Sequence, residues 1–261
     1  ESRFTFATAL FPTMMVVYDR SEGDDNPTRY NGRKTVMQRF TYLAPSMGYK
    51  VNDTLSLGVT ASLSHFALYA NTDFRAPNTL IAMTGKLQEA LCPDGGNPID
   101  AVLFGLCNKG RMNPFTKMLN MELKATTTAD PTVTVGMLWE PTDWFALGAK
   151  YATESKMRLQ GQFHIKYDEN LQEFFKGVSN SALGPIILAS LAMPSTVPPE
   201  EKGNLSLTLT YPKNVHLGTR LKFGKLQVNS DVHWTNWASW DSFKFELDQQ
   251  VAATQMARLF G

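Results

Sequence analysis

Apolar and polar side chains alternate with a period of two along unusually long stretches of this chain, most clearly from Trp144 to Phe163. One parity of this stretch is largely apolar: Phe145, Leu147, Ala149, Tyr151, Thr153, Ser155, Met157, Leu159, Gly161 and Phe163. The other parity carries every charge: Trp144, Ala146, Gly148, Lys150, Ala152, Glu154, Lys156, Arg158, Gln160 and Gln162. Because successive side chains of a strand point to opposite faces, this pattern predicts one two-faced strand. Such a strand is far longer than the five or six residues usual in soluble proteins.

The same alternation recurs along the chain and predicts about seven antiparallel strands joined in sequence. The predicted strands are 4–19, 38–51, 54–69, 132–139, 144–165, 204–223 and 226–247. We expect their apolar positions to face outward: Leu55, Leu57, Val59, Val133, Val135, Leu147, Ala149, Leu207, Leu209 and Leu217.

Short and long connections alternate strictly between these strands. The short turns are Asn52-Asp53, Glu140-Pro141-Thr142-Asp143 and Gly224-Lys225. The long connections are about 20–37, 70–131, 166–203 and 248–261. Tight periplasmic turns and long extracellular loops are typical of outer-membrane barrels. The predicted fold class is therefore all-β, an antiparallel transmembrane β-barrel in the bacterial outer membrane with helical extracellular loops.

The alternative is a soluble β-sandwich or a lipocalin-like barrel, because alternation alone does not tell the inside of a barrel from the outside. Strand length and the asymmetry of the loops favour the membrane. Tryptophans beside a short turn (Trp139, Trp144) and far along a strand (Trp234, Trp237, Trp240) suit the two membrane interfaces. A formal net charge of +1 gives no electrostatic case for nucleic acid as a partner.

Two of the long loops carry apolar residues at helical spacing, which water-exposed loops do not need unless they pack or bind something. On the 70–131 loop these are Leu80, Met83, Leu87 and Leu91. On the 166–203 loop they are Phe174, Phe175, Val178, Ile186, Ile187 and Leu191. Two facing stripes would form a groove for a hydrophobic ligand, although the same residues would also serve to pack the loops together.

The only cysteines, Cys92 and Cys107, lie in one loop. Their isolation in a polar segment suggests a disulfide and an oxidising compartment. The alternative is a pair of free thiols.

Charged residues on the polar strand faces should point into the barrel, because a charge facing lipid costs roughly 2–4 kcal/mol at the midplane. They are Lys150, Glu154, Lys156, Arg158, Arg220 and Lys222. Their plain role is salt bridging with one another. Lys156, Arg158 or Arg220 would additionally suit the carboxylate of a fatty acid, since each provides charge-assisted donors.

The segment TVTVGMLWEPTDWFALGAKYATESKMRLQGQF, residues 132–163, resembles the FadL/TodX family of outer-membrane transporters of hydrophobic compounds. So do residues 204–223 and 226–247, with the run Trp234-Thr235-Asn236-Trp237-Ala238-Ser239-Trp240, and the segment 42–59. The resemblance spans most of the chain, and it depends on the order and spacing of motifs that are individually weak.

This resemblance implies a 14-stranded barrel and passive uptake of long-chain fatty acids or similar molecules. Ligand would be captured between extracellular loops and passed to a site within the barrel. Residues 1–261 would then be one incomplete barrel domain. Its partners would be the ligand, outer-membrane lipid and the remaining strands of the same protein, including an N-terminal plug.

The rival functions are a general porin and an outer-membrane lipid hydrolase. A porin does not need apolar loops. A hydrolase needs a nucleophile beside a base, and no local pattern nominates one. We therefore expect no enzyme activity, no cofactor and no metal.

Overall fold

The strands form one antiparallel sheet in the computed structural model of the protein, which describes residues 2–20, 26–92, 97–240 and 244–257. The strands are β1 (Phe4–Ala7), β2 (Phe11–Asp19), β3 (Lys34–Leu43), β4 (Ser46–Lys50), β5 (Leu55–Phe74), β6 (Leu119–Thr142), β7 (Phe145–Ala152), β8 (Ser155–Tyr167), β9 (Glu200–Tyr211), β10 (Asn214–Phe223), β11 (Leu226–Thr235) and β12 (Lys244–Leu247). The helices are α1 (Thr79–Leu91), α2 (Pro98–Leu103), α3 (Glu169–Ser179), α4 (Gly184–Ser190) and α5 (Ala252–Ala257), with short 3₁₀ helices at Pro27–Asn31 and Trp237–Ser239.

Each long strand, which consists of one or two of these segments, pairs with the long strands that precede and follow it along the chain. β1 and β2 pair with β4 and β3, which both pair with β5, and β5 pairs with β6. β6 pairs with β7 and β8, which pair with β10 and β9, and these pair with β11 and β12. Five of the long strands consist of two consecutive segments each: β1/β2, β3/β4, β7/β8, β9/β10 and β11/β12. With β5 and β6, the described residues therefore contain seven long strands in an antiparallel meander. This confirms the fold class and the order of strands expected from the sequence.

The strand predicted at 132–139 is much longer than expected, because β6 begins at Leu119 and the loop before it covers 75–118 rather than 70–131. Residues 119–126 alternate as a strand does, but a bulge opposite Ser64–Phe66 then interrupts the period. A window that spans this bulge contains no regular alternation. The other two loops are also shorter than predicted and cover 20–33 and 168–199, instead of 20–37 and 166–203. The connection from 248 contains α5, and residues 258–261 lie outside the described part.

Most strands break at a common level, and the buried face changes parity there. The breaks lie between β1 and β2, β3 and β4, β7 and β8, and β9 and β10. Leu207 in β9 is fully buried, whereas Leu217 in β10, of the same parity, is 47% exposed. Break residues 153–154 and 212–213 lie outside the strands, so the alternation of faces is not carried across them. The prediction that Leu207 and Leu209 face outward is therefore wrong.

Below the breaks, the outer surface is apolar, as the sequence predicts. Leu57, Val59, Val133, Val135 and Leu217 are exposed, and Leu55, Leu147 and Ala149 are partly exposed. β7 and β10 contain 8 and 10 residues, close to the roughly 9–11 with which a tilted strand crosses a bilayer. Trp139 and Trp144 are exposed beside the turn that joins β6 to β7. This lower half has the dimensions and surface of the membrane-spanning band.

Above the breaks, the exposed positions of β8 are polar: Lys156, Arg158, Gln160, Gln162 and Lys166. Charges on the outer surface are costly within the hydrocarbon layer, so this upper half projects beyond it. Among the described residues, no helix is long and apolar enough to cross a membrane.

Candidate functional site

The inward faces of the upper strand halves and the buried faces of the loop helices form one apolar core. We call this core, together with the cavity that lies within it, the upper chamber. The strands contribute Phe66, Ala125, Met157, Leu159, Phe163, Ile165, Leu205, Leu207 and Leu209. The loops contribute Ile81, Met112, Met118, Leu171, Phe175, Val178, Leu188, Val197, Val251 and Met256. Burying each large side chain favours this arrangement by about 1.5–3 kcal/mol, which explains why the loops fold over the strand ends.

Helix α3 covers the chamber because its sequence has a strong start and one apolar face. The Asp168 carboxylate accepts the Asn170 N–H at 3.0 Å, which caps the helix. Glu169 in the first turn and Lys176 in the last turn both favour the helix dipole. Leu171, Phe175 and Val178 follow at helical spacing and are buried. The helix thus lays one apolar stripe onto the strands.

Helix α1 is held by a buried glutamine that the sequence analysis did not identify. Gln88 Nε2 donates to the carbonyl oxygens of Leu106 and Gly110 at 3.0 and 2.9 Å, and its Oε1 accepts the Met112 N–H at 2.8 Å. A disulfide also joins Cys92 to Cys107, the pairing that the sequence predicts. Together these contacts fold the segment after α1 back against the helix.

A cavity of about 610 Å³ lies between α1, α3, α5 and the adjoining ends of β5 and β6. Its lining is mostly apolar: Phe74, Ala76, Pro77, Ile81, Met112, Met118, Leu119, Met121, Leu171, Phe174, Phe175, Met193, Ala253 and Met256, with the polar residues Arg75, Asn78 and Thr254. The volume lies within the range of roughly 300–1,000 Å³ of small-molecule sites. Five methionines give the lining the adaptability expected of a site that accepts varied apolar shapes.

Helix α5 closes one side of this cavity through hydrogen bonds to the ends of β8 and β9. The Ala253 N–H donates to the Tyr167 hydroxyl at 2.9 Å, and the Ala252 N–H donates to Glu201 Oε2 at 3.1 Å. The Tyr167 hydroxyl itself donates to Glu201. Burial, together with this hydrogen bond, raises the pKa of Tyr167 well above its usual value. The hydroxyl therefore remains a neutral donor.

Only two of the ten predicted groove residues, Phe174 and Phe175, line this cavity. Val178 is buried in the core beside them. The other seven are exposed on the loops: Leu80, Met83, Leu87, Leu91, Ile186, Ile187 and Leu191. The α1 stripe does not face the α3 stripe as expected, because α1 packs on the core with a different side. Its buried side carries Ile81 and the polar Gln88, so the more regular stripe faces outward.

A buried polar group lies at the level of the strand breaks, below the chamber. Arg39 Nη2 and Nε contact Asp130 Oδ2 at 2.6 and 2.7 Å, and both side chains are almost fully buried. The guanidinium stacks 4.2 Å from the centroid of the Tyr211 ring, and Asp130 accepts the Ser155 hydroxyl. Arg39 also donates to Thr13 at 3.3 Å. We call Arg39, Asp130, Ser155, Tyr211 and Thr13 the floor cluster; the sequence analysis did not identify it.

The floor cluster lies at a gap in the sheet. Thr126 of β6 pairs with Gln160 of β8, and eight residues further along Thr134 pairs with Ala152 of β7. None of residues 127–132 of β6 pairs through its backbone with β7 or β8. The register of β6 against β8 is nevertheless the same as its register against β7. The Asp130–Ser155 hydrogen bond crosses the gap. Side chains of the floor cluster thus join β6 to β8 where backbone pairing is missing.

The charged residues expected in the lumen divide between the two faces. Arg158 is 62% exposed and contacts Glu246 at 3.0 Å, and Lys156 shares its face, opposite the buried Met157 and Leu159. The prediction that Lys156 and Arg158 point inward is therefore wrong, because parity reverses at residues 153–154. Arg220, below the breaks, shares the parity of Gly218 and His216, opposite the exposed Leu217, and contacts Glu140 at 2.7 Å.

Comparison with known proteins places these features among membrane transporters. A family profile described as outer membrane protein transport protein (OMPP1/FadL/TodX) matches residues 1–259. No curated protein matches the chain.

Three solved structures share the fold. The toluene transporter TbuX of Ralstonia pickettii has a TM-score of 0.60 at 14% identity, covering 96% of this chain and 56% of the other. The CymD monoaromatic hydrocarbon channel gives 0.59 at 13% identity, with coverages of 95% and 55%. The toluene transporter TodX of Pseudomonas putida gives 0.56 at 14% identity, with coverages of 96% and 56%. The chain thus spans a little over half the length of each of these structures.

Proposed function

Since the chain belongs to the OMPP1/FadL/TodX family of outer membrane transport proteins, we propose that it captures hydrophobic molecules in the upper chamber of an outer-membrane channel. The single observation that carries this proposal is the methionine-rich cavity of about 610 Å³ beneath α1, α3 and α5. Transfer of an apolar chain from water into such a cavity is favourable by about 0.8 kcal/mol per buried CH₂. Partition of this kind would load the channel without an energy-consuming motor.

The proposed ligands are long-chain fatty acids or other apolar molecules of similar bulk. The resemblance of the sequence to the family supports fatty acids, and the similarity to the toluene transporter TbuX and the CymD monoaromatic hydrocarbon channel supports aromatic hydrocarbons. Of the three cations that the sequence suggests for a carboxylate, only Arg220 is still supported, since Lys156 and Arg158 lie on the outer face. Arg220 would contact a ligand only after the ligand had left the upper chamber.

A general porin is less well supported than a hydrophobic channel. The described part of the barrel contains a buried floor cluster and an apolar core above it, and a water-filled pore needs neither. The lower half does carry polar inward positions such as His216 and Arg220, so a polar passage below the floor is compatible with the proposal.

Uptake by cells that express the full-length protein tests this proposal. Phe174→Asp places a carboxylate in the cavity lining, where burial of a charge is costly, and should reduce uptake of a radiolabelled long-chain fatty acid and of toluene by at least about tenfold. Leu87→Asp makes the same kind of change on the exposed side of α1 and should leave uptake unchanged. Both variants should still assemble as heat-resistant barrels. Equal uptake by Phe174→Asp and the unaltered protein would contradict the proposal.

A further inference from the structure

The outer wall of the upper half of the barrel carries a polar groove that the proposed function does not use. Two adjoining hollows, of about 610 and 380 Å³, lie on the outward faces of β6, β8, β9 and β12 and share Gln162 and Asn204. We call them together the outer groove. Its polar lining includes Arg158, Gln160, Gln162, Asn204, Glu246 and Asp248.

The outer groove lies just beyond the membrane-spanning band. Arg158 and Gln162 lie four and eight residues above Glu154, which belongs to the break between β7 and β8. At about 3.3 Å per residue and a strand tilt of about 40°, they are roughly 10 and 20 Å above the apolar surface. The polar head groups of a phospholipid layer add only about 5–8 Å on each side of the hydrocarbon core. The outer groove therefore faces membrane components that project farther than a phospholipid head group.

The end of the outer groove nearest the membrane is positively charged. Arg158 and Lys244 are paired with Thr208 from opposite sides, so about 10 Å separates their backbones. Lys156 lies at the next outward position of β8 toward the membrane. Among the residues that the structure describes, Lys156 and Lys244 have no carboxylate within salt-bridge distance, and Arg158 has only Glu246, at 3.0 Å. Three cations thus share one carboxylate, and the excess positive charge favours an anionic partner.

Farther from the membrane, the outer groove offers hydrogen-bonding groups in defined positions. The Glu246 carboxylate accepts a hydrogen bond from Arg158 at 3.0 Å, and the Asp248 carboxylate accepts one from Asn204 Nδ2 at 2.8 Å. Gln160 and Gln162 are exposed beside them, paired along the sheet with Ser206 and Asn204. An amide both donates and accepts, and a carboxylate accepts, so neighbouring hydroxyl groups of a sugar can bind to both kinds of group at once.

We propose that the outer groove binds the phosphorylated sugars of lipopolysaccharide, the glycolipid of the outer leaflet of the bacterial outer membrane. A phosphate would contact Lys156, Arg158 and Lys244, which provide charge-assisted donors. The sugar that follows would contact Gln160 and Gln162. Lipopolysaccharide has the same order, since its phosphates lie on the sugars nearest the acyl chains and further sugars extend outward. This inference concerns the wall that contacts the membrane and does not depend on a ligand in the upper chamber.

Binding of three lipids to the purified full-length protein in detergent, measured by native mass spectrometry, tests the phosphate contacts. The lipids are deep-rough lipopolysaccharide (lipid A with the innermost sugars), its dephosphorylated form and phosphatidylglycerol. Lys156→Gln/Lys244→Gln removes two charges and should weaken binding of deep-rough lipopolysaccharide about tenfold, with little effect on the dephosphorylated form. Lys50→Gln/Lys225→Gln is the matched control, because it removes two exposed charges at the opposite end of the barrel, and should have no effect.

The sugar contacts are tested by Gln160→Ala/Gln162→Ala. This variant should weaken binding of both forms of lipopolysaccharide by roughly fivefold and leave phosphatidylglycerol binding unchanged, because it removes hydrogen bonds to sugar hydroxyls but no charge. All of these substitutions are at exposed positions, and each variant should assemble as a heat-resistant barrel.

Three results would overturn the proposal. The first is a lysine variant that binds deep-rough lipopolysaccharide as tightly as the control variant does. The second is an equal loss of phosphatidylglycerol binding in the lysine variant, since the surface would then attract any anionic lipid. The third is unchanged lipopolysaccharide binding by the glutamine variant, since no sugar would then occupy the outer groove.

Discussion

Breaking the ion pair of the floor cluster should destabilise the barrel far more than removing the pair altogether. Arg39 and Asp130 are 3% and 0% exposed, so loss of either partner leaves a buried charge without compensation. Such a change costs about 3–5 kcal/mol, whereas replacement of both partners by apolar residues of similar volume is often nearly neutral. We therefore expect Arg39→Met and Asp130→Leu each to lower the unfolding free energy by that amount.

The double variant should recover most of this loss. What remains is the hydrogen bonds to Thr13 and Ser155, at roughly 0.5–1.5 kcal/mol each. The assay is denaturant-induced unfolding of the full-length protein in detergent, followed by tryptophan fluorescence. Asp53→Asn disrupts the exposed pair Lys50–Asp53, which has a similar 2.9 Å separation, and should leave the midpoint unchanged. A double variant no more stable than the weaker single variant would refute this reasoning, as would single variants that unfold like the unaltered protein.

Three further predictions concern the faces and anchors of the upper chamber. A lipid-soluble thiol reagent should label Leu217→Cys but spare Leu207→Cys, because the two side chains are 47% and 0% exposed; equal labelling would mean that parity does not reverse. Replacing Cys92 and Cys107 by serine should speed proteolysis of the loop at 75–118, since closing a loop of this size is worth roughly 3 kcal/mol, and unchanged cleavage would show that other contacts suffice. Tyr167→Phe should increase hydrogen exchange in α5 at neutral pH, and protection equal to the unaltered protein would contradict the anchoring role. Because the pKa of Tyr167 is raised on folding, its contribution is fully present below the unfolded pKa of about 10 and is lost as the pH rises further, so the variant should lack this alkaline loss.

The lower half of the barrel was predictable because one simple pressure acts on it. Lipid on one side and a polar interior on the other impose alternation, and β7 and β10 follow it from end to end. Short turns join β6 to β7 and β10 to β11, so the register of these two pairs is fixed by the chain itself. The pairing of Cys92 with Cys107 was predictable for a similar reason, since no other cysteine competes.

The upper half was less predictable because its order depends on contacts between distant segments. Arg39 and Asp130 are 91 residues apart, and nothing local to either residue identifies the other as its partner. Gln88 reads as a polar surface position of α1 until the carbonyl oxygens of Leu106 and Gly110 are found beside it. The reversal of parity is likewise a property of backbone geometry at the breaks, which leaves no mark in an alternation that continues unbroken through the sequence.

The common level of the strand breaks also bears on how such a protein diversifies. In a strand of constant parity, the alternate positions that face lipid in the lower half would also face outward in the upper half, away from the chamber. Here the odd positions of β9 contact the chamber, and the odd positions of β10 contact the surroundings of the barrel. Mutations that reshape the chamber therefore arise at codons separate from those that maintain insertion. Each broken strand is in effect two separately evolvable modules, and new ligand preferences can accumulate in one module without eroding the other.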